Sequence, residues 1–347
     1  MKQRTIYFDV LNILSCMAVI ALHHNGIVHN YSDTTAWKTA LIVEVGCYWA
    51  VPIFMMLTGA TLMNYREKYD TATFFRKRFA RTLIPFLAWS TIVLVWKNCT
   101  GQMSKGLDSL QSFAEAVLNY EMEAVYWYFP LLFSIYLLMP LFSALAEPKY
   151  RKTLWYAVAV MFLLQSVIPP LANLTGFDWN STLGLSFNRS FIYVFLGYLL
   201  STCRLKAPQR YMIYLAGIAS ALFRYGAVFY LSTRDGAKNS VFFGYGYFPA
   251  IPLACAVFVW VKQVDWERVL ERLRIPVSAL AKISACSLGI YLIHKIVMYY
   301  ELELLSGFGI TKTRMIWRFA CIPMTYLVAL AIVWLGKKIP VVKRLFP

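Results

Sequence analysis

Apolar residues in this chain gather into blocks long enough to cross a lipid bilayer, and that feature restricts the fold more than any other. A run of about 18 or more apolar residues spans the hydrocarbon core at roughly 1.5 Å per residue. Such blocks fall at residues 6–28, 37–63, 80–97, 126–146, 153–172, 188–203, 210–231, 243–262, 284–300 and 314–336. They predict an all-α polytopic membrane bundle of about ten transmembrane helices, a single integral-membrane domain over residues 1–347. Hydrophobic residues make up 59% of the chain, against about 45–50% in soluble domains. The first block is too long for a secretory signal peptide and lacks its small-residue cleavage site.

A net charge of +17 would suit nucleic acid, but the charges are placed otherwise. Of the 34 Lys and Arg residues, 23 lie in alternate connections: the N-tail, 64–81, 147–152, 204–210, 262–282 and the C-tail. That bias predicts both termini in the cytoplasm. It also makes anionic membrane lipid the expected partner of the basic surface rather than nucleic acid. The seven cysteines are scattered and form no CxxC, so they read as free thiols with neither a disulfide framework nor a metal site. Asn98, Asn173, Asn180 and Asn188 each head a glycosylation sequon. QSFAEAVLNYE in the outer loop and DWERVLERLRIP (265–276) read as amphipathic helices lying on the membrane surface. No internal repeat stands out, so an inverted-repeat transporter has no support.

Polar residues inside membrane spans are costly and commonly face the bundle interior. In the first span Asn12 and His23 are eleven residues apart, close to three turns, so they share one face about 16 Å apart. Asp9 lies on the same side. His24 points about 100° away and reads as packing. Glu44 is the sole acid of the second span, and AVPIFMMLTGA (50–60) offers Pro52, Thr58 and Gly59 for a bend and a close neighbour. Arg78 and Arg81 are three apart, on one expected face at the inner mouth. The ordinary role of such arginines is a membrane anchor, but guanidinium groups are also natural partners of phosphate. On composition alone, Tyr126 and Trp127 belong to an aromatic belt at the outer interface. Arg224 pairs with Glu44 or with a substrate group, two options that the residues leave open. In the ninth span Ser287, Tyr291 and His294 share a side, so a second helix brings a histidine to comparable depth.

Two histidines at one depth, an arginine pair at the inner mouth and no GxSxG, HExxH, Walker A or GxGxxG point to acid–base group transfer. The segments FDVLNILSCMAVIALH (8–23), AVPIFMMLTGATL (50–62), FFRKRFARTLIPFLAW (74–89), YWYFPLLFSIYLLMPL (126–141), YFPAIPLACAVFVWVK (247–262) and SLGIYLIH (287–294) occur in the order of the membrane-bound acyltransferase type 3 family. The chain resembles that family over nearly its whole length. Within it, the chain is similar to bacterial surface-polysaccharide O-acetyltransferases of the enterobacterial common antigen type.

The resemblance implies a multi-pass enzyme of the bacterial cytoplasmic (inner) membrane. It implies acetyl-CoA, or another acyl-CoA, as donor substrate with no resident cofactor, and a surface glycan or lipid-linked saccharide as acceptor. His23 falls at the family's catalytic histidine. Arg78, Arg81 and Asn12 are then donor-binding positions. Tyr126, Trp127, Ser287, Tyr291, His294, Glu44 and Arg224 are acceptor or channel-lining positions. The family commonly has an arginine where this chain has Asn12. Either Arg78 and Arg81 carry the phosphates alone, or the donor differs, or activity is lost. Thr58-Gly59 stands where Ser-Gly is common and keeps the hydroxyl. Two rival readings remain: a glycan transporter or flippase that makes no bond, and a non-catalytic membrane module indifferent to His23.

Overall fold

The computed structural model describes residues 5–102, 109–179 and 188–346; within them the chain forms helices and no strand. Asn180 of the four sequons lies outside the described residues. The helices run in the order α1 (Ile6–His24), α2 (Thr35–Cys47), α3 (Ala50–Leu62), α4 (Thr71–Arg78), α5 (Ile84–Cys99), α6 (Leu110–Leu118), α7 (Tyr128–Ala144) and α8 (Arg151–Met161). They continue as α9 (Ile168–Thr175), α10 (Phe191–Thr202), α11 (Ala207–Asp235), α12 (Ala250–Gln263), α13 (Trp266–Arg272), α14 (Val277–Ser284), α15 (Ser287–Ser306) and α16 (Cys321–Gly336). The two expected surface helices appear as α6, capped reciprocally by Ser109 and Ser112, and α13, capped by Asp265.

Seven helical segments are long and apolar enough to cross a membrane, and α14 with α15, bent by 56° between them, make an eighth. The other two expected spans are the shorter apolar helices α10 and α12. At 1.5 Å per residue these are only about 18 and 21 Å long, less than a hydrocarbon core of about 30 Å. The expected span 243–262 is helical only from Ala250. Its first residues, FGYGYF (243–248), form an irregular segment ending at Pro249 and set inside the bundle. Non-helical backbone at such a depth is tolerated only where protein surrounds it, and here the carbonyls of Phe243 and Tyr245 accept the hydroxyls of Tyr48 and Tyr193.

Proline explains the other breaks. A proline has no N–H for the carbonyl four residues back, and its ring crowds that carbonyl. Pro52 acts on Tyr48, where α2 gives way to α3. Pro85, Pro169 and Pro323 act on Arg81, Gln165 and Phe319, and each of these lies in a widened π-helical turn: 79–83, 162–167 and 316–320. The bulge is how each helix absorbs the missing bond without stopping.

The hub is α1. It touches α2, α3, α12, α14, α15 and α16, and its buried residues occur on all sides, as befits a helix with no lipid-facing stripe. α11 lies at the opposite extreme, with exposed Leu215, Ile218, Leu222 and Tyr230 along a peripheral face suited to lipid. α3 and α10 are in backbone contact: a Cβ on Gly59 would strike the Val194 carbonyl, and one on Gly197 would strike that of Met56. Small residues are what permit such an approach between membrane helices. Gly197→Ala should therefore lower thermal unfolding in detergent by the equivalent of about 1–3 kcal/mol, as overpacking does. Gly226→Ala, where the added methyl meets open space, should leave it unchanged. Equal midpoints for the two variants would refute this contact.

Candidate active site

The C-terminal end of α1 carries two histidines and is clamped immediately beyond them. Asn25 caps the helix and donates from its amide to the Ala40 carbonyl at 2.7 Å. Its amide oxygen accepts Arg318 Nε at 3.3 Å and Nη2 at 3.1 Å, while Arg318 Nη1 donates to the Ala36 carbonyl and Thr39 Oγ1 at 3.2 and 3.1 Å. Arg318 is wholly buried and sits in the π turn that Pro323 creates. One guanidinium thus ties α1, α2 and the start of the last span together.

His24 points into that last span. Its Nε2 lies 2.7 Å from Thr325 Oγ1, and the Thr325 hydroxyl donates to Glu301. With the threonine proton committed, His24 Nε2–H is the donor. Trp317 packs on the ring at 4.3 Å. His24 is a buried structural residue, as its direction on the helix predicts. Just beyond the membrane segment, Lys238 Nζ donates to His29 Nδ1 at 2.7 Å. Burial, and then the Lys238 charge, hold His29 below the ordinary histidine range, so it stays the neutral acceptor this bond needs.

His23 faces the other way, toward α15. Its ring centroid is 5.2 Å from that of His294, at 31° between planes. His294 Nδ1 is 2.7 Å from the Tyr291 carbonyl. A carbonyl only accepts, so Nδ1 carries the proton and Nε2 keeps its lone pair; Nε2 is buried with no hydrogen bond. The Tyr291 ring follows at 5.7 Å from His294.

This Tyr291–His294–His23 layer stands between two cavities. The first, about 300 Å³, lies toward the end holding the described N- and C-terminal residues and is lined by Asp9, Asn12, Thr58, Arg78, Ser287 and Tyr291 among others. The second, about 510 Å³, lies toward the opposite end and is lined by His23, Lys97, Glu123, Lys295, Lys312 and Trp317 among others. His294 lines neither. In the first cavity Arg78 Nε and Ser287 Oγ are buried without hydrogen bonds to the described residues, a costly state that a ligand would relieve.

The residues chosen from the sequence divide accordingly. Arg78 reaches the first cavity; Arg81 is exposed and does not line it. The π turn at 79–83 separates them, so three residues no longer bring two side chains to one face. Arg81 lies instead in the field of Lys337, whose ammonium donates to the Ala285 carbonyl at 2.7 Å. Asn12 lines the cavity, with its amide donating to the Ser284 carbonyl and Oγ at 2.9 and 3.0 Å. Ser287 and Tyr291 line the cavity as well.

Tyr126 is neither in an interfacial belt nor free to meet a sugar. It is completely buried, and its hydroxyl donates to the Leu292 carbonyl at 2.8 Å, bracing α15. Trp127 stacks on Tyr245 at 5.6 Å, and Tyr245 on Tyr48 at 4.0 Å. Arg224 lies over Tyr48, 3.3 Å from its ring centre, and shares an electrostatic field with buried Glu44. Glu44 and Arg224 therefore end an aromatic ladder and line neither cavity. Among the residues that sequence reasoning passed over are Lys97, Glu123, Lys295, Lys312 and Arg318. Two of them carried a signal: Lys295 directly follows His294, and Arg318 is a full charge inside the last apolar block.

The two adjacent histidines separate in an unfolding measurement. His24→Ala should cost about 1–3 kcal/mol, because Thr325 Oγ1 loses the hydrogen bond it accepts and the ring leaves a cavity beside Trp317. His23→Ala, which removes no hydrogen bond to the described residues, should shift the midpoint little. A larger loss for His23→Ala would reverse these assignments.

A family model described as an acyltransferase domain matches residues 5–334. No curated protein and no solved structure matches the chain. With helices that cross a membrane and a match over nearly the whole length, the chain belongs to the membrane-bound acyltransferase type 3 family and is a membrane acyltransferase.

Proposed function

We propose that this protein moves an acetyl or related acyl group from cytoplasmic acyl-CoA to a hydroxyl of a surface glycan or lipid-linked saccharide, with His23 as the general base. The observation that carries this reading is the histidine layer between two cavities of different character. The end of the bundle with the described termini is the basic end, which the positive-inside rule puts in the cytoplasm. The donor then enters the smaller cavity, and the acceptor meets the opposite face of the layer. A bacterial inner membrane is the setting that this arrangement suits.

On this reading the acyl-CoA arm lies along Thr58 and Ser287, and Arg78 serves the donor's phosphates with Arg81 and Lys337 outside the mouth. Asn12 supplies no charge; it holds α1 to α14, so Arg78 is the cation at this cavity. The acceptor hydroxyl gives its proton to His23 as its oxygen attacks the thioester carbon. The C–O ester bond forms, the C–S bond breaks, and the departing CoA thiolate is reprotonated. Thiolate is a good leaving group, so the proton transfer from a weakly acidic sugar hydroxyl is the step that needs a base. His294, its Nδ1 proton fixed on the Tyr291 carbonyl, orients the layer.

Labelled acetyl-CoA added to inverted membrane vesicles should pass label to membrane glycolipid. His23→Ala should reduce transfer at least about a hundredfold, as loss of a general base does. Arg78→Ala should raise the acyl-CoA KM about tenfold with little change in kcat. Equal labelling by wild type and His23→Ala would overturn the assignment. Movement of unmodified glycan without acyl-CoA would establish the transporter reading.

A further inference from the structure

The larger cavity carries a charge pattern that acyl transfer alone does not require. Among its lining residues are Lys97, Glu123, Lys295 and Lys312. Lys97 and Glu123 neutralise each other at 3.1 Å, with side chains only 19% and 11% exposed. Two lysines remain. Lys295 is half-buried on α15, one residue after His294, and Lys312 is exposed in the loop after that helix. Among the described residues neither ammonium makes a hydrogen bond or an ion pair; Lys295 feels the attraction of Glu123 and the repulsion of Lys312 and Lys97. Membrane anchoring does not explain them, because they stand at the end of the bundle opposite the basic one, where lysine has no topological advantage. A cation held partway into a membrane protein without a partner is expensive, and that cost commonly marks a binding function.

We infer that the acceptor is an anionic saccharide, whose carboxylate or phosphate is held by Lys295 and Lys312 while its hydroxyl lies at His23. This rests on reading the larger cavity as the acceptor site. A carboxylate or phosphate there accepts charge-assisted hydrogen bonds from both ammonium groups and removes their mutual repulsion. Trp96 and Tyr299 line the same cavity and offer apolar faces to a sugar ring. The cavity, about 510 Å³, is within the range of small-molecule sites. Since Lys295 neighbours His294 in sequence and His23 shares the cavity, the anion fixes which hydroxyl reaches the base.

Binding to the full chain in detergent tests this with three probes: a hexuronic-acid disaccharide, a hexose 1-phosphate and a neutral disaccharide of similar size. At least one acidic probe should bind about tenfold more tightly than the neutral one, equivalent to about 1.4 kcal/mol. Lys295→Gln and Lys312→Glu should each abolish that advantage without changing neutral-probe binding, and added salt should erode it in the wild type. Lys312 is exposed, so its variant keeps the test valid should Lys295→Gln fold poorly. The tighter acidic probe identifies carboxylate or phosphate as the source. Equal binding of all three probes, or acidic binding indifferent to both substitutions, overturns the inference. CoA release from acetyl-CoA, measured on the same samples, is scored separately: its absence counts against the transfer reading, while charge-selective binding decides this one.

Discussion

The guanidinium of Arg318 is the contact on which the placement of the histidines rests. It is a full charge shut away from solvent, and among the described residues its acceptors are Asn25, Ala36, Thr39 and, more weakly, the Met315 sulfur. Because a buried charge without acceptors would cost several kcal/mol, the end of α1 cannot move away from α2 and the last span without exposing that cost. The helix therefore ends at one residue, in one direction, and His23 and His24 take fixed faces about 100° apart. One histidine is committed to Thr325. The other is left without a bond to the described residues, facing His294.

The arginine is itself aimed by a proline. Pro323 removes one backbone donor, the helix swells into a π turn around Phe319, and Arg318 within that turn enters the bundle. The same cause operates at Pro52, Pro85 and Pro169. In water a freed carbonyl would bind solvent; within a membrane the protein must absorb it through local widening or a neighbouring group. These defects fall at useful places. The Pro52 break sets Tyr48 on Tyr245, and the Pro85 bulge separates Arg78, which enters the smaller cavity, from Arg81, which stays outside.

Much of the fold could be read in advance, because lipid imposes a length and a composition on each span. The polar face of α1 and the matching histidine of α15 were also legible, since three whole turns and two whole turns keep residues in register. What failed had specific physical causes. Period counting assumes an unbroken α-helix, and the π turn falsifies that between Arg78 and Arg81. Tyr126 has the composition of an interfacial belt residue, but its depth depends on α15 lying against it, a contact with no local signature. Glu44 and Arg224 share an electrostatic field, yet the ladder of Tyr48, Tyr245 and Trp127 that seats them away from both cavities joins segments nearly two hundred residues apart. Lys97 and Lys312 are unremarkable in the sequence and Lys295 stands out only as the neighbour of His294; the fold gathers all three around one space.

The two cavities differ in a way that gives the histidine layer its role. The smaller one contains buried donors with nothing to donate to, Arg78 Nε and Ser287 Oγ. The larger one contains positive charge in excess of negative. Between them stand the ring of Tyr291 and two imidazoles. A thioester exposed to water on its way across would be at risk of hydrolysis, so a transfer path benefits from a dry partition. A partition made only of aromatic rings would block the proton along with the water. Imidazole resolves that conflict, being compact enough to pack beside Tyr291 and basic enough to take a proton. His294 spends one nitrogen on the backbone, and His23 spends none on the described residues. On the proposed reading His23 is the ring that exchanges a proton with the acceptor, because it lines the larger cavity and His294 does not.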